Sequence, residues 1–216
     1  MPDHVKPDLR MARRAETEAR LVRAATQLFV EHGYAATTLA AVADAAGLAH
    51  RTVYARFPTK ADLLQRCLDV AIGGDELDAT IDDRAWVRAA MSAPTRAERI
   101  RVMAQATAAL MGRTGALLRV AIEAEASEVS IAERAQAGRA DTQRVVEGFW
   151  RAMAADALLP AGVDVEWLAV TGALLAQAET FLVGSRTLGW DIETYATWLE
   201  TTWLRLASPS GGRRRA

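Results

Sequence analysis

Between Leu39 and Phe57 the chain sets two short helical stretches on either side of Gly47-Leu48-Ala49, and the residue types at this junction admit few arrangements. Leu39 to Ala46 is preceded by Thr37 and Thr38 as N-cap residues and followed by Gly47 as a stop, while His50 to Phe57 ends before Pro58. Val42 and Ala43 lie in the first stretch, Gly47 follows Ala43 by four, and Val53 follows Gly47 by six. Small Ala43 lets the two helices cross closely. Gly47 supplies a turn conformation costly for a residue with a Cβ, and Val42, Leu48 and Val53 fill the space between. A preceding helix from about Arg13 to His32, with Leu21, Ala25, Leu28 and Phe29 on one stripe and Gly33 at its end, completes a three-helix unit containing a helix-turn-helix.

The remainder continues at helical periodicity without a strand-like alternation, so the expected fold class is all-α: a three-helix head and a larger helical body. Further helices are predicted over Lys60 to about Ile72, around Trp86 to Met91, and from the Thr95/Glu98 capping box through Ile100, Met103, Thr107, Leu110 and Met111, continuing over Leu117 to Ala126. Others are expected from roughly Arg139 to Leu158, from Asp164 to about Leu188, and from Asp191 to about Ala207. Asp75 to Arg84 reads as a charged loop. The resulting domains are 1–58, with an N-terminal arm at 1–13; a regulatory and dimerisation body at 59–207; and a disordered basic tail at 208–216.

Composition removes several classes. Apolar residues make up 51% and charged residues 25%, which is globular, and no apolar run approaches the ~20 residues of a membrane span. A cytoplasmic location is expected. One cysteine, Cys67, excludes an internal disulfide and a multi-cysteine zinc site, and as a small side chain between Leu64 and Leu68 it reads as core. All three histidines precede residue 51, the chain beyond Cys67 offers neither cysteine nor histidine, and no Gly-rich phosphate loop or carboxylate metal motif occurs. Neither an enzyme, a cofactor nor a metal is expected. Residues 1–70 hold ten Lys/Arg against eight Asp/Glu, the rest sixteen against nineteen, which permits a nucleic-acid-binding N-terminus without requiring one.

The segment Leu21 to Leu64 resembles the DNA-binding domain of the tetracycline-repressor-like (TetR) family. The resemblance is carried by Ala25, Phe29, Gly33-Tyr34, Thr38, Val42-Ala43, Ala46-Gly47-Leu48, Val53-Tyr54, Phe57, Lys60 and Leu63. His50-Arg51 departs from the small residue followed by Gly or Pro that the family often carries, so base preference does not transfer. From helix-turn-helix physics alone, the third helix enters the major groove with His50, Arg51 and Thr52 nearest the base edges, and Arg51 suits guanine O6 and N7. Tyr54 and Lys60 resemble phosphate-touching positions of the family, as does Thr38, whose hydroxyl also suits an anion. Arg13 and Arg14 are candidates for an arm in the minor groove. Competing readings are half-buried packing for Tyr54 and solvated charge for Arg51, Arg13, Arg14 and the arginine tail.

In the body, Leu168, Leu175 and Leu182 repeat at seven, and Tyr195, Trp198, Leu199 and Trp203 stripe the last helix. Gly172 and Ala176 would permit close approach. The stripe is wide enough for a two-subunit, four-helix interface, the mode the resemblance implies; burial within one subunit is the alternative. Trp86, Met103, Leu110, Met111, Phe149, Trp150 and Met153 are candidates either for an effector cavity or for ordinary core. Glu123, Glu125 and Glu128 read as an exposed acidic face or as partners of a cationic effector. The expectation is a homodimeric regulator of double-stranded DNA with a palindromic operator, a repressor released by a hydrophobic or aromatic small molecule. A helical interaction or ligand-binding module without operator binding would explain the body but not the head.

Overall fold

In a computed structural model of the chain, residues 6–74 and 85–208 are described. Every regular element among them is a helix: α1 (Lys6–Ala36), α2 (Leu39–Ala46), α3 (His50–Arg56), α4 (Lys60–Gly73), α5 (Ala85–Ser92), α6 (Arg96–Ala124), α7 (Val129–Ala155), α8 (Val165–Leu175), α9 (Ala178–Thr187) and α10 (Ile192–Leu206). The all-α expectation holds. The expected loop at 75–84, the first five residues of the arm and the tail from residue 209 lie outside the described residues.

Helix starts follow the caps. Thr38 Oγ1 accepts from Ala41 N at 3.1 Å, Asp164 Oδ1 from Trp167 N at 3.0 Å and Asp191 Oδ1 from Thr194 N at 2.7 Å. At α6 the Glu98 N–H donates to Thr95 Oγ1 at 3.2 Å and the Thr95 hydroxyl returns a bond to the Glu98 carboxylate at 2.7 Å. Thr37 does not cap. It is buried, and its hydroxyl lies 2.8 Å from the Gly33 carbonyl and 3.1 Å from that of Leu28. Gly33 has φ +76° and ψ 177°, a conformation closed to side-chain-bearing residues at ordinary cost, and the chain kinks there inside the span of α1.

Three spans differ from the sequence expectation. Helix α1 begins at Lys6, so Arg13 and Arg14 sit on a helix and not in an extended arm. Helix α7 begins at Val129, ten residues before the expected Arg139, because the turn at Ser127-Glu128 lets the Glu128 carbonyl accept from both Ile131 N and Ala132 N at 3.0 Å. The helix expected over Asp164 to Leu188 is broken into α8 and α9, bent by 51°. The break survives because its freed carbonyls find donors: Thr180 Oγ1 bonds Leu174 O at 2.8 Å and the Tyr195 hydroxyl bonds Leu175 O at 3.0 Å.

The chain forms two compact units. The first holds described residues 6–71 together with Ala116–Glu133, so the end of α6 and the start of α7 belong with α1 to α4. Its interior is Leu21, Ala25, Phe29, Val42, Ala43, Val53, Leu63 and Leu64, closed by Leu117, Val120, Ala121 and Ala124. Cys67 is buried there with its thiol against the Val22 carbonyl, and burial pushes that thiol up to about 11, which keeps it protonated and unreactive at neutral pH.

The second unit takes Ile72–Gly115 and the chain from Arg134. Phe149, Trp150 and Trp203 form its aromatic centre, with Trp150 edge-on to both: ring centroids lie 5.0 Å from Phe149 and 5.8 Å from Trp203. Gly172 of α8 makes room for the Trp150 indole; a Cβ there would stand 2.4 Å from Nε1.

Candidate nucleic-acid interface

Helices α2 and α3 meet over Gly47, whose φ of +61° and ψ of 42° place it in the left-handed region, and the Leu48 N–H closes back on Ala43 O at 2.9 Å. Arg20 of α1 donates to the Ala46 carbonyl at 2.6 Å and to that of Gly47 at 3.3 Å, supplying a cation where α2 ends in unpaired carbonyls. Val53 and Phe57 point inward, which turns His50, Arg51, Tyr54 and Ala55 outward and leaves Thr52 half-buried. Tyr54 is 53% exposed, so it is not packing.

Beside α3 lies an open cleft of about 560 Å³ lined by Arg13, Arg14 and Thr17 of α1 and by Arg51, Thr52 and Arg56 of α3. Arg13, Arg14 and Arg51 make no ion pair among the described residues. Arg56 is different: its guanidinium pairs with Glu18, which also accepts from Arg66 Nε at 2.6 Å. Burial opposes ionisation of Glu18, but the hydrogen bonds and charges of the two arginines outweigh it and hold the carboxyl below its ordinary range. Glu18 thereby ties α1 to α3 and α4 and fixes the wall of the cleft. The cleft therefore keeps three uncompensated cations, on two helices held at fixed separation.

The remaining head residues fall in two groups. Thr38 is exposed at the start of α2, and because its oxygen already accepts from Ala41 N, its hydroxyl hydrogen is available to an anion. Lys60 is turned inward: Nζ donates to Tyr34 O at 2.7 Å and stands 4.1 Å from the centre of the Tyr34 ring. The Tyr34 phenol lies near the Glu128 carboxylate, and burial followed by that carboxylate raises its pKa well above the ordinary value. Lys60 is thus not among the residues that line the cleft. Sequence reasoning missed Glu18, Thr17 and Asp44, the last of which receives His50 Nε2 at 2.7 Å. Glu18 carried a signal, a carboxylate three residues before Leu21 on the apolar stripe of α1. Thr17 carried another, one turn beyond Arg13 and Arg14.

In the second unit, Met103, Met111, Phe149, Trp150 and Met153 are buried, whereas Trp86 and Leu110 are half-buried. Of the residues expected at a subunit interface, Leu168, Tyr195, Leu199 and Trp203 are wholly buried within the single chain, and Leu175, Leu182 and Trp198 are half-buried. The large apolar side chains that α8 and α9 expose are others: Trp167, Val170, Leu174 and Val183. Glu123 is drawn to Arg119 at 3.1 Å.

The sequence profile of the bacterial regulatory proteins of the tetR family matches residues 21–67, the stretch that carries α2, α3 and their turn. Residues 21–67 are thus similar to the DNA-binding domain of the tetR family. Among curated relatives, the chain is 43% identical over 54 residues to the HTH-type transcriptional regulator TtgR of Pseudomonas putida, and 36% identical over 86 residues to the HTH-type transcriptional activator FasR of Mycolicibacterium smegmatis. Those alignments cover 25% and 37% of this chain and only 26% and 39% of the relatives' own length. Solved TetR-like structures match the fold over about nine-tenths of the chain. The fatty acid degradation regulator FadR of Bacillus halodurans matches with a TM-score of 0.68 at 16% identity, covering 92% of this chain and 96% of its own. MexZ, a repressor responsible for antibiotic resistance in Pseudomonas aeruginosa, gives 0.65 at 21%, covering 91% and 96%. SmeT, solved as a complex with triclosan, gives 0.66 at 19%, covering 91% and 93%.

Proposed function

We propose that this protein is a sequence-specific DNA-binding transcriptional regulator, a homodimeric repressor that leaves a palindromic operator when it binds a hydrophobic small molecule. The observation that carries the reading is the cleft beside α3, where Arg13, Arg14 and Arg51 stand without acidic partners next to the outward His50, Arg51 and Tyr54. Helix α3 reads base edges through His50, Arg51 and Thr52. Tyr54 and Thr38 take phosphates, and the α1 pair Arg13 and Arg14 tracks the backbone beside the groove. Lys60 adds its charge from the start of α4. The DNA-reading part is 1–58 with Lys60, the regulatory and dimerising part 59–207, and the site of action the cytoplasm.

Selection of bound sequences from a random duplex pool, followed by salt titration of the enriched site, tests this. Arg51→Ala is expected to lose preference at one base pair of each half-site, at about 1–3 kcal/mol, while Arg14→Ala weakens all sequences alike and lowers the salt slope by about one unit. A wild-type chain that enriches no motif would overturn the proposal.

Self-association is assigned to the exposed side of α8 and α9, which presents the apolar side chains Trp167, Val170, Leu174 and Val183, together with the half-buried Leu175, Leu182 and Trp198. Effector binding is assigned to the interior of the second unit, among Met103, Met111, Phe149, Trp150 and Met153, with Trp86 and Leu110 at its edge. Supporting this, the buried indole N–H groups of Trp150 and Trp203 have no acceptor among the described residues. An unmatched buried donor costs roughly 1–3 kcal/mol, so an aromatic effector carrying one hydroxyl, ether or carbonyl oxygen is favoured over a pure hydrocarbon. The triclosan bound to SmeT is a precedent for a small molecule on this fold.

A further inference from the structure

Asp44 belongs to α2, yet its carboxylate reaches across the turn to the first residue of α3: Oδ1 lies 2.7 Å from His50 Nε2. Both side chains are more than half exposed, so the pair adds little to the core. It does not cap α3 either, since the N-cap residue is Ala49, which offers no side-chain bond. What the contact does is chemical. An ionised carboxylate only accepts, so Nε2 must carry a hydrogen, and Nδ1 becomes the ring nitrogen left for any other partner. The His50 imidazole makes no other hydrogen bond among the described residues. The same bond restricts both side-chain torsions of His50, which a solvent-facing histidine would otherwise sample freely.

We propose that Asp44 is a specificity-determining positioning residue: by holding His50 through Nε2 it presents the Nδ1 edge to the DNA and so sets the base preference at the pair beneath the start of α3. The proposal rests on the operator-binding reading above. Asp44 need not touch DNA, and its own charge works against the phosphates, so its two effects separate cleanly. Loss of the charge strengthens binding to every sequence alike, whereas loss of the acceptor frees the imidazole and blurs one position only.

The test is sequence selection from a random duplex pool with the full chain as wild type, H50A, D44A, D44N and the double variant H50A/D44A, with thermal melting of each. The expected pattern is a loss of discrimination of about 2- to 10-fold at one base pair per half-site in H50A and at that same pair in D44A. D44N, whose amide oxygen still accepts from Nε2–H, keeps the preference, and the double variant matches H50A. Both Asp44 variants bind all sequences somewhat more tightly. The proposal is overturned if D44A keeps the wild-type preference at the pair H50A blurs, if D44A and D44N blur it equally, if D44A flattens every position together with a lowered melting temperature, or if H50A changes no position. A wild-type chain that enriches no motif removes the operator-binding reading itself, and this result is distinct from the others.

Discussion

Replacing Gly172 with alanine sets two known effects against each other with opposite signs. Gly172 lies inside α8, where alanine is favoured over glycine by about 0.8–1.0 kcal/mol on helix propensity alone. Against this, the new Cβ would fall 2.4 Å from Trp150 Nε1 and 3.3 Å from both Cδ1 and Cε2, about 1 Å inside ordinary contact. Trp150 is fully buried, with Phe149 and Trp203 against it, so the indole shifts only by disturbing those rings. Overpacking of a core position costs about 1–3 kcal/mol, and the rigid double ring places this case at about 3, for a net loss of about 2 kcal/mol. With a urea dependence of ~3 kcal/mol per molar, the midpoint falls by about 0.7 M at unchanged slope. Gly148→Ala in α7 is the control, because nothing stands within 4 Å of its added Cβ; it should gain up to about 1 kcal/mol. Urea unfolding followed by tryptophan fluorescence reads both. A Gly172→Ala protein as stable as Gly148→Ala would refute the packing of Trp150 on α8.

Three other outcomes are expected. Glu18→Gln should cost about 2 kcal/mol at neutral pH. Because the folded carboxyl titrates below its ordinary value of 4.5, the Glu18 contribution is present above that value and fades as pH falls through the folded one, so melting from pH 7 down to 3 should show the gap to the variant closing on the acid side. Leu174→Glu, at a position 62% exposed, should leave the melting temperature intact while giving monomers by sedimentation and operator binding weaker by about 100-fold. Trp150→Ala should blunt release by any effector found in a screen of aromatic compounds; full retention of release in a folded variant would move the effector site elsewhere.

Local chemistry was legible and long-range partnership was not. Thr38, the Thr95/Glu98 box, Asp164 and Asp191 announce helix starts from neighbours within three residues, and the structure uses each of them. Helix α7 starts ten residues before the position periodicity predicts because, of Val129 to Gly138, only Ile131 is a large buried apolar residue, so periodicity is silent there. The Leu168, Leu175 and Leu182 repeat runs straight across the break between α8 and α9, which depends on a hydroxyl from Tyr195 twenty positions away. The wide apolar stripe of α10 was visible, but periodicity gives the width of a stripe and not which neighbour covers it. In the site, Arg51 and Tyr54 follow from helix phase. Glu18 reaches Arg56 and Arg66 from 38 and 48 residues away, a distance at which sequence spacing carries no signal.

The composition of the first compact unit has a consequence for synthesis. Leu117, Val120, Ala121 and Ala124, which close its interior, are translated some fifty residues after α4, as is Glu128, whose carboxylate lies near Tyr34. A nascent chain that has delivered α1 to α4 therefore holds a head with an open side, and these separated contacts raise the loop-closure entropy of its folding. Truncation after residue 71 should reproduce that unfinished state: helix-turn-helix pattern intact, apolar wall uncovered, and a tendency to self-associate that the full chain lacks at this face.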